Sequence, residues 1–420
     1  MELRAGYKQT EVGLIPADWE LSTLGDICIT SSGTTPARSL TDRYYRNGTV
    51  NWVKTLDLNN SELLNTDELV TLKAIEETCL RSYPVGTVLV AMYGGFNQIG
   101  RTGLLRIPAA VNQAITAVQP RPNTLLPEYL LATLNFRVDY WKTVASSSRK
   151  DPNITSLDVR AFPIAYPRPH EQRAIAAALS DINALINGLD QLIAKKRNIK
   201  QATMQQLLTG QTRLQGFSGA WEVRRLGEIG EVTSAGVDKK IRHGEIAVRL
   251  VNYLDVYRKD FIYSSDLNHT VTAPAQQAKR CEVKKGDVFF TPSSETRDDI
   301  GHSAVAMENI PDAAHSYHVA RLRLHDDWDI RFRAYAFKTK DFYDQAQILC
   351  DGNGTRYVIS QGKLRSMTVR VPPIEEQAAI ATILSDMDTE LNTIEARRDK
   401  TRDLKQGMMQ ELLTGKTRLI

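Results

Sequence analysis

Apolar residues recur at Ile175, Leu179, Ile182, Ile186, Leu189 and Ile193, in a strict alternation of four and three. That spacing keeps one stripe on one side of a helix and marks a seam for packing against another helix. A second stripe falls at Ile380, Leu384, Met387, Leu391 and Ile394, then resumes at Leu404, Met408 and Leu412. No proline interrupts the chain from Pro169 to beyond Gly210, or from Pro373 to beyond Gly415. Each stripe therefore predicts one long helix, weakened but not ended by the isolated Gly188 and Gly407. About 40 residues at 1.5 Å each make a rod of roughly 60 Å. Such a helix alone has nowhere to bury its stripe. The economical arrangement packs the two rods on each other, antiparallel, with one globular module at each end.

The two stripes are copies of one block. Residues 171–214 align without a gap to 376–419, and 22 of the 44 paired positions are identical. The duplication reaches further. Trp19–Ile27 matches Trp221–Ile229, Val53–Leu58 matches Val251–Val256, and Gly86–Val90 matches Gly286–Phe290. These pieces keep their order while their offsets wander, so insertions sit in loops between shared strands. The chain is built twice, and its copies differ most between the shared pieces.

The divergent regions, roughly 14–165 and 216–370, read as strand-rich. Thr87–Met92, Ala114–Val118, Val288–Thr291 and Met367–Val371 are short apolar or β-branched runs beside Gly or Pro. Pro127–Leu134 has helical spacing with a proline at its start. The expected class is α/β: two mixed α/β domains separated by two long antiparallel helices packed as a coiled coil. The expected boundaries are 1–165 and 214–370 for the modules, with spacer helices in 166–213 and 371–420. Strand order stays open.

Composition adds bounds. At 420 residues, 42% hydrophobic and 24% charged, the chain is long enough for two cores and ordinary for a globular protein. A formal charge of +4 permits a nucleic-acid partner without demanding one. Cys28, Cys79, Cys281 and Cys350 have no metal-ligand spacing and read as reduced, buried thiols of a cytoplasmic protein. No signal peptide is evident, and no apolar run approaches the roughly 18 residues of a membrane helix.

Catalytic signatures are missing. The sequence holds no GxxxxGK[ST] loop, no GxGxxG before a helix, no HExxH and no CxxC. Asp151-Pro152-Asn153-Ile154 matches an amino-methyltransferase motif only in its first two letters and lacks the aromatic that stacks on a flipped base. Glu295, Asp298 and Asp299 lack the lysine partner of a metal-dependent nuclease. No catalytic, cofactor or metal residue is assigned, and the chain reads as a non-enzyme.

Polar loops carry the candidate contacts. Tyr93, Gly94, Asn97, Gln98 and Arg101 lie on a glycine-rich loop leaving the Gly86–Val90 strand. Glycines let main chain approach a nucleic-acid backbone, and Asn, Gln and Arg can bond base edges or phosphates. The matching loop of the second copy carries Ser293, Ser294 and Arg297. Lys54 in the first copy, and Asn252, Tyr253, Arg258 and Lys259 in the second, form further polar groups. Arg149 and Lys150, and Asn353 and Arg356, sit beside small residues in loops ahead of each long helix. The later sets equally suit a solvated face or a simple turn, whereas the repeat favours recognition over an ordinary connection for the paired strand loops. Arg397, Arg398 and Thr401 interrupt the second stripe, either as local solvation or as contacts to a subunit or to DNA phosphates. Lys195, Lys196 and Arg197 admit the same two readings. A protein-bridging adaptor is the alternative to a DNA reader, although it gives no reason for paired polar loops.

Over essentially its whole length the chain resembles the specificity subunits of type I restriction–modification systems. The likeness rests on the Ile15–Ile27 opening echoed by Phe217–Ile229, and on Pro167–Gln172 echoed by Val371–Gln377. It rests also on the Leu-Leu-Thr-Gly ends at Gly210 and Gly415, and on the strand–loop signatures Ala91–Gly100 and Phe290–Gly301. Glu171, Gln172, Glu376 and Gln377 resemble the family's helix-start signature and read as structural. His170 stands where the second copy has Glu375, a departure between the two junctions. The resemblance implies two target-recognition domains related by pseudo-twofold internal symmetry, each reading half of a split target in double-stranded DNA. It implies two modification subunits and two restriction subunits as partners, which would carry S-adenosylmethionine, ATP and magnesium.

Overall fold

The computed structural model describes residues 5–145 and 152–419. They form two compact units, residues 1–189 with 397–420 and residues 190–396.

In the first unit a five-stranded sheet runs in the order Cys28–Ser32, Ile115–Pro120, Val88–Ala91, Thr102–Leu105, Ser61–Leu63. A four-stranded sheet follows the order Glu68–Val70, Val50–Val53, Ala109–Val111, Ser82–Tyr83. The second unit repeats both. Its five-stranded sheet is Gly230–Thr233, Ala320–Leu324, Val288–Phe290, Ser303–Ala306, Phe261–Ile262. Its four-stranded sheet is Thr270–Ala273, Ile246–Val251, Ile310–His315, Glu282–Val283. The apolar runs expected as strands are strands, and Pro127–Phe136 is the expected helix. All four residues of Val88–Ala91 are buried, as are all three of Val288–Phe290. That explains their unbroken apolar sequence, since a central strand covered on both faces does not alternate.

The long helices run Pro169–Leu208, 40 residues, and Ile374–Leu412, 39 residues, passing through Gly188 and Gly407. Both stop for the same reason. Gly210 and Gly415 take φ of +72° and +70°. The Thr212 and Thr417 amides reach back to the Gln206 and Glu411 carbonyls at 3.2 and 3.1 Å. Glycine tolerates the left-handed turn that closes such a C-terminus, which accounts for the repeated Leu-Leu-Thr-Gly.

Each unit holds its own antiparallel pairing of the two helices. In the first, Ile175 and Leu179 share a core with Met409, Leu412, Leu413, Trp19, Tyr129 and Trp141. In the second, Met204, Leu207 and Leu208 join Ile380, Ala381, Leu384, Trp328 and Phe332. Fully burying an aliphatic or aromatic side chain of this size contributes roughly 1.5–3 kcal/mol, so the helix ends belong to the module cores. Lys196 pairs with Glu390 at 2.7 Å, and Lys200 pairs with Asp388. Partner numbers fall as helix numbers rise, which is the antiparallel sense.

Ile182, Ile186, Leu189, Ile193 and Leu391 are buried, while Met387, Ile394 and Met408 are half-buried. Leu404 corrects the expected seam, because its side chain is 59% exposed. The seam keeps its three-four rhythm through Leu391, Ile394, Arg398, Thr401, Lys405, Met408 and Leu412, and Leu404 lies one residue out of phase. Thr401 is buried there and satisfies its hydroxyl on the Arg397 carbonyl at 2.7 Å. Lys405 lies half-buried, and desolvation pulls its amine below the usual lysine range. Long stems can cover apolar surface while the charged head stays wet, so polar letters hid the seam. Lys196 and Arg197 are engaged by Glu390 and Glu395, which suits the solvation reading of that basic cluster. Of the four cysteines, Cys28, Cys281 and Cys350 are buried, but Cys79 is exposed, against expectation. It follows the short helix Leu72–Glu77 at the module surface.

Candidate nucleic-acid interface

The first long helix starts against its own module through Gln172. Its Oε1 accepts from the Leu126 amide at 2.8 Å, and its Nε2 donates to the Thr124 and Pro167 carbonyls at 2.8 and 2.9 Å. Gln377 does the same in the second copy, accepting from the Asp329 amide at 3.1 Å and donating to the Pro372 carbonyl at 2.9 Å. Glu171 is buried and held by both Nε and Nη2 of Arg418, at 2.7 and 2.8 Å. Glu376 is buried and held likewise by Arg213, with both bonds at 2.7 Å, and accepts from Trp221 Nε1 at 3.0 Å. The two junctions thus share their central contacts despite His170 standing opposite Glu375. Each glutamate is gripped by an arginine just beyond a C-terminal Leu-Leu-Thr-Gly, so the repeated motifs lock each other.

Polar loops leave the same central strand in both modules. In the first, Gly94, Gly95 and Gly100 take φ of +112°, +73° and +75°. The Gly100 amide donates to the Ala91 carbonyl at 2.9 Å, and the Ala91 amide to the Arg101 carbonyl at 2.8 Å. This tight return presents Tyr93 and Asn97 to solvent, together with Phe96, which is 52% exposed. Gln98 and Arg101 are half-buried. A Cβ at Gly100 would lie 2.0 Å from Trp141 Cδ1. Gly100→Ala is therefore expected to cost about 2 kcal/mol, from positive φ and overpacking together. Denaturant unfolding checks it: an unchanged midpoint would show that the loop yields freely.

The second module adds a small sheet. Ser293–Ser294 pairs with Tyr357–Val358, which pairs with Asp351–Gly352. Candidates from three distant stretches of the sequence thereby meet. The Tyr253 hydroxyl is hydrogen-bonded to Ser294, and burial pushes it above the usual phenol range. Arg356 Nη2 lies 3.3 Å from Ser293 Oγ and 3.3 Å from His318 Nδ1. Asn353 is exposed on the same hairpin. Arg297 donates from Nη1 to the Gln347 carbonyl at 3.0 Å, with its guanidinium 5.2 Å from the Tyr357 ring centroid.

Other candidates stay apart. Lys54 and Asn252 occupy matching positions, each amide donating to an aspartate three residues on, Asp57 at 2.6 Å and Asp255 at 2.8 Å. The Lys54 amine is paired with Glu68 at 3.3 Å, and Lys259 with Asp266 at 2.6 Å. Arg258 is exposed. Arg149 and Lys150 lie outside the described residues. Sequence reasoning missed Tyr317, 50% exposed and 3.9 Å between ring centroids from His318. Burial, then Lys239 and Arg356, lower the His318 pKa from its ordinary value. A Tyr-His pair just past a strand was the available signal. Among the described residues, no group of three or more His, Cys, Asp or Glu is placed to hold a metal.

A family model for the type I restriction modification DNA specificity domain matches residues 16–199 and again residues 219–401. The chain belongs to this family. Its duplicated strand order is thus two specificity domains in one polypeptide. The type I restriction enzyme MjaIX specificity subunit of Methanocaldococcus jannaschii is 27% identical over 250 residues. That match spans 54% of this chain and about half of the subunit, 55%. The putative MjaX specificity subunit of the same organism is 22% identical, covering 98% of this chain and 97% of that one. The crystal structure of the type I restriction–modification S subunit from M. genitalium shares the fold. Its TM-score is 0.55 at 14% identity, with 98% of each chain covered.

Proposed function

We propose that this specificity-family chain is the sequence-specific DNA-binding subunit of a type I restriction–modification complex. It recognises a split target and directs methyltransferase and restriction subunits to it. The observation that carries this reading is one strand order used twice, ending in unlike polar loops. A shared scaffold with different surfaces suits two readers of different sequences better than two copies of one active site. The recognition modules are assigned to residues 1–165 and 214–370, and the spacer helices to 166–213 and 371–420. Phosphate contacts would position each module and base contacts would specify. Candidate readers are Tyr93, Asn97, Gln98 and Arg101 in one half, and Tyr253, Ser293, Asn353 and Arg356 in the other.

The assembled complex would hold two modification and two restriction subunits, which bring S-adenosylmethionine, ATP and magnesium. It would act in the cytoplasm, where its DNA is. No helix among the described residues is long and apolar enough to cross a membrane.

Methylation mapping of the assembled complex is expected to give two unlike half-sites separated by a fixed gap. Exchanging residues 216–370 for another module should change one half-site alone. Methylation at one continuous short site, or a change in both halves after the exchange, would contradict the reading.

A further inference from the structure

Resting on that reading, we propose that the hairpin Asp351–Val358 is the element of the second module that enters the major groove, with Arg356 reading a guanine there. The hairpin pairs Asp351–Gly352 with Tyr357–Val358, and every residue from 351 to 356 is exposed. Its turn is narrow. A Cβ at Gly352 would lie 2.1 Å from the Arg356 carbonyl oxygen, and Gly354 takes φ of +60°. Two-stranded ribbons of this kind fit the roughly 12 Å width of the major groove.

The Arg356 guanidinium is aimed before DNA arrives. Ser293 Oγ and His318 Nδ1 each lie 3.3 Å from Nη2. Both are uncharged acceptors, His318 through a lone pair at Nδ1, so they fix one edge without neutralising the cation. Arg297 has a different job. Its bond to the Gln347 carbonyl and its place over Tyr357 brace the base of the hairpin. Lys363 braces it from the other side through Asp351, at 2.6 Å.

Local charge argues for bases over phosphates. Glu295 and Asp298 are exposed on the loop that supplies Ser293. Carboxylates repel a phosphate backbone, yet they accept from the cytosine amino group, while an arginine fork matches guanine O6 and N7. A guanidinium bonded to a loop that carries exposed carboxylates therefore suits a G·C pair seen through the groove.

The test uses the full chain assembled with its modification subunits, on DNA randomised across both half-sites. The wild-type complex is expected to require a G·C pair in the half read by the second module. Arg356→Lys keeps the charge and loses the fork, and should relax that single position on the order of ten- to a hundredfold. The first half-site should be unchanged. Ser293→Ala should relax the same position more weakly, which a purely structural effect on the module would not do. If Arg356→Lys leaves selectivity intact at every position while weakening binding uniformly, Arg356 is a phosphate contact and the proposal is wrong. It is equally wrong if the second half-site holds no G·C pair. A wild-type complex without any two-part site would instead overturn the underlying reading of the chain.

Discussion

Arg418→Ala is expected to destabilise the first unit by about 3–5 kcal/mol, the range for removing one partner from a buried ion pair. Glu171 is only 1% exposed, and Arg418 is its ionic partner, reaching also to Asp18 at 2.8 Å. The guanidinium holds the Asp18 carboxyl below the usual carboxylate range, and the two acids raise the arginine in turn. Truncation would leave a carboxylate in the interior with no counter-charge. That penalty, more than the value of the bond itself, sets the size of the effect. The double variant Glu171→Gln with Arg418→Met should recover most of the loss, because it removes the stranded charge. Denaturant unfolding of all three proteins checks this. A double variant as unstable as Arg418→Ala would show that packing against Trp19, not charge, holds the junction.

The same junction shows where a single sequence informs and where it stops. Repetition of Glu171-Gln172 as Glu376-Gln377 made a structural role legible, as did the Leu-Leu-Thr-Gly stops. The partners were not legible. Arg418 meets Glu171 across 247 residues of chain, and Arg213 meets Glu376 across 163. No local periodicity encodes such a pairing. The helix seam failed for another reason. A rule that counts apolar letters selects Leu404 and passes over Thr401 and Lys405, although geometry places those two in phase. In the loops, residue types in Tyr253, Ser293 and Arg356 were informative one by one. Their assembly was invisible, because it depends on a three-stranded sheet whose strands are two residues each.

The duplication also exposes differences between the two cores, and one of them predicts a response to acid. Val53 pairs with Val111 in the first module, and Val251 with His315 at the equivalent point of the second. Leu89 pairs with Ala117, and Phe289 with Arg321. A valine and an alanine are thus replaced by a histidine and an arginine. His315 is fully buried. Burial, and then Arg321, push its pKa down to about 4. Arg323 adds to the same direction, while main-chain hydrogen bonding at Ser316 and Val319 pulls the other way, and the His315 amide donates to the Cys281 carbonyl.

The sign follows from which state takes the proton. Above the unfolded value of about 6.5 the ring is neutral in both states and stability does not depend on its titration. As pH falls from there toward 4, the unfolded chain protonates and the folded one does not. Stability is lost across that window, reaching about 3 kcal/mol below it, and about 2 kcal/mol of this between pH 7 and pH 5. Carboxylates such as Asp266 and Asp312, whose pKa values are lowered by Lys259 and Arg249, lose their contribution only at more acid pH. His315→Val restores the residue type of the first module and should remove most of the loss between pH 7 and pH 5, leaving a smaller share from the more exposed His318, whatever it does to stability at pH 7. Unfolding curves at both pH values separate these terms. If wild type and His315→Val lose stability equally on acidification, the ring takes its proton at the same pH in the folded and unfolded chain, and neither burial nor Arg321 holds it neutral.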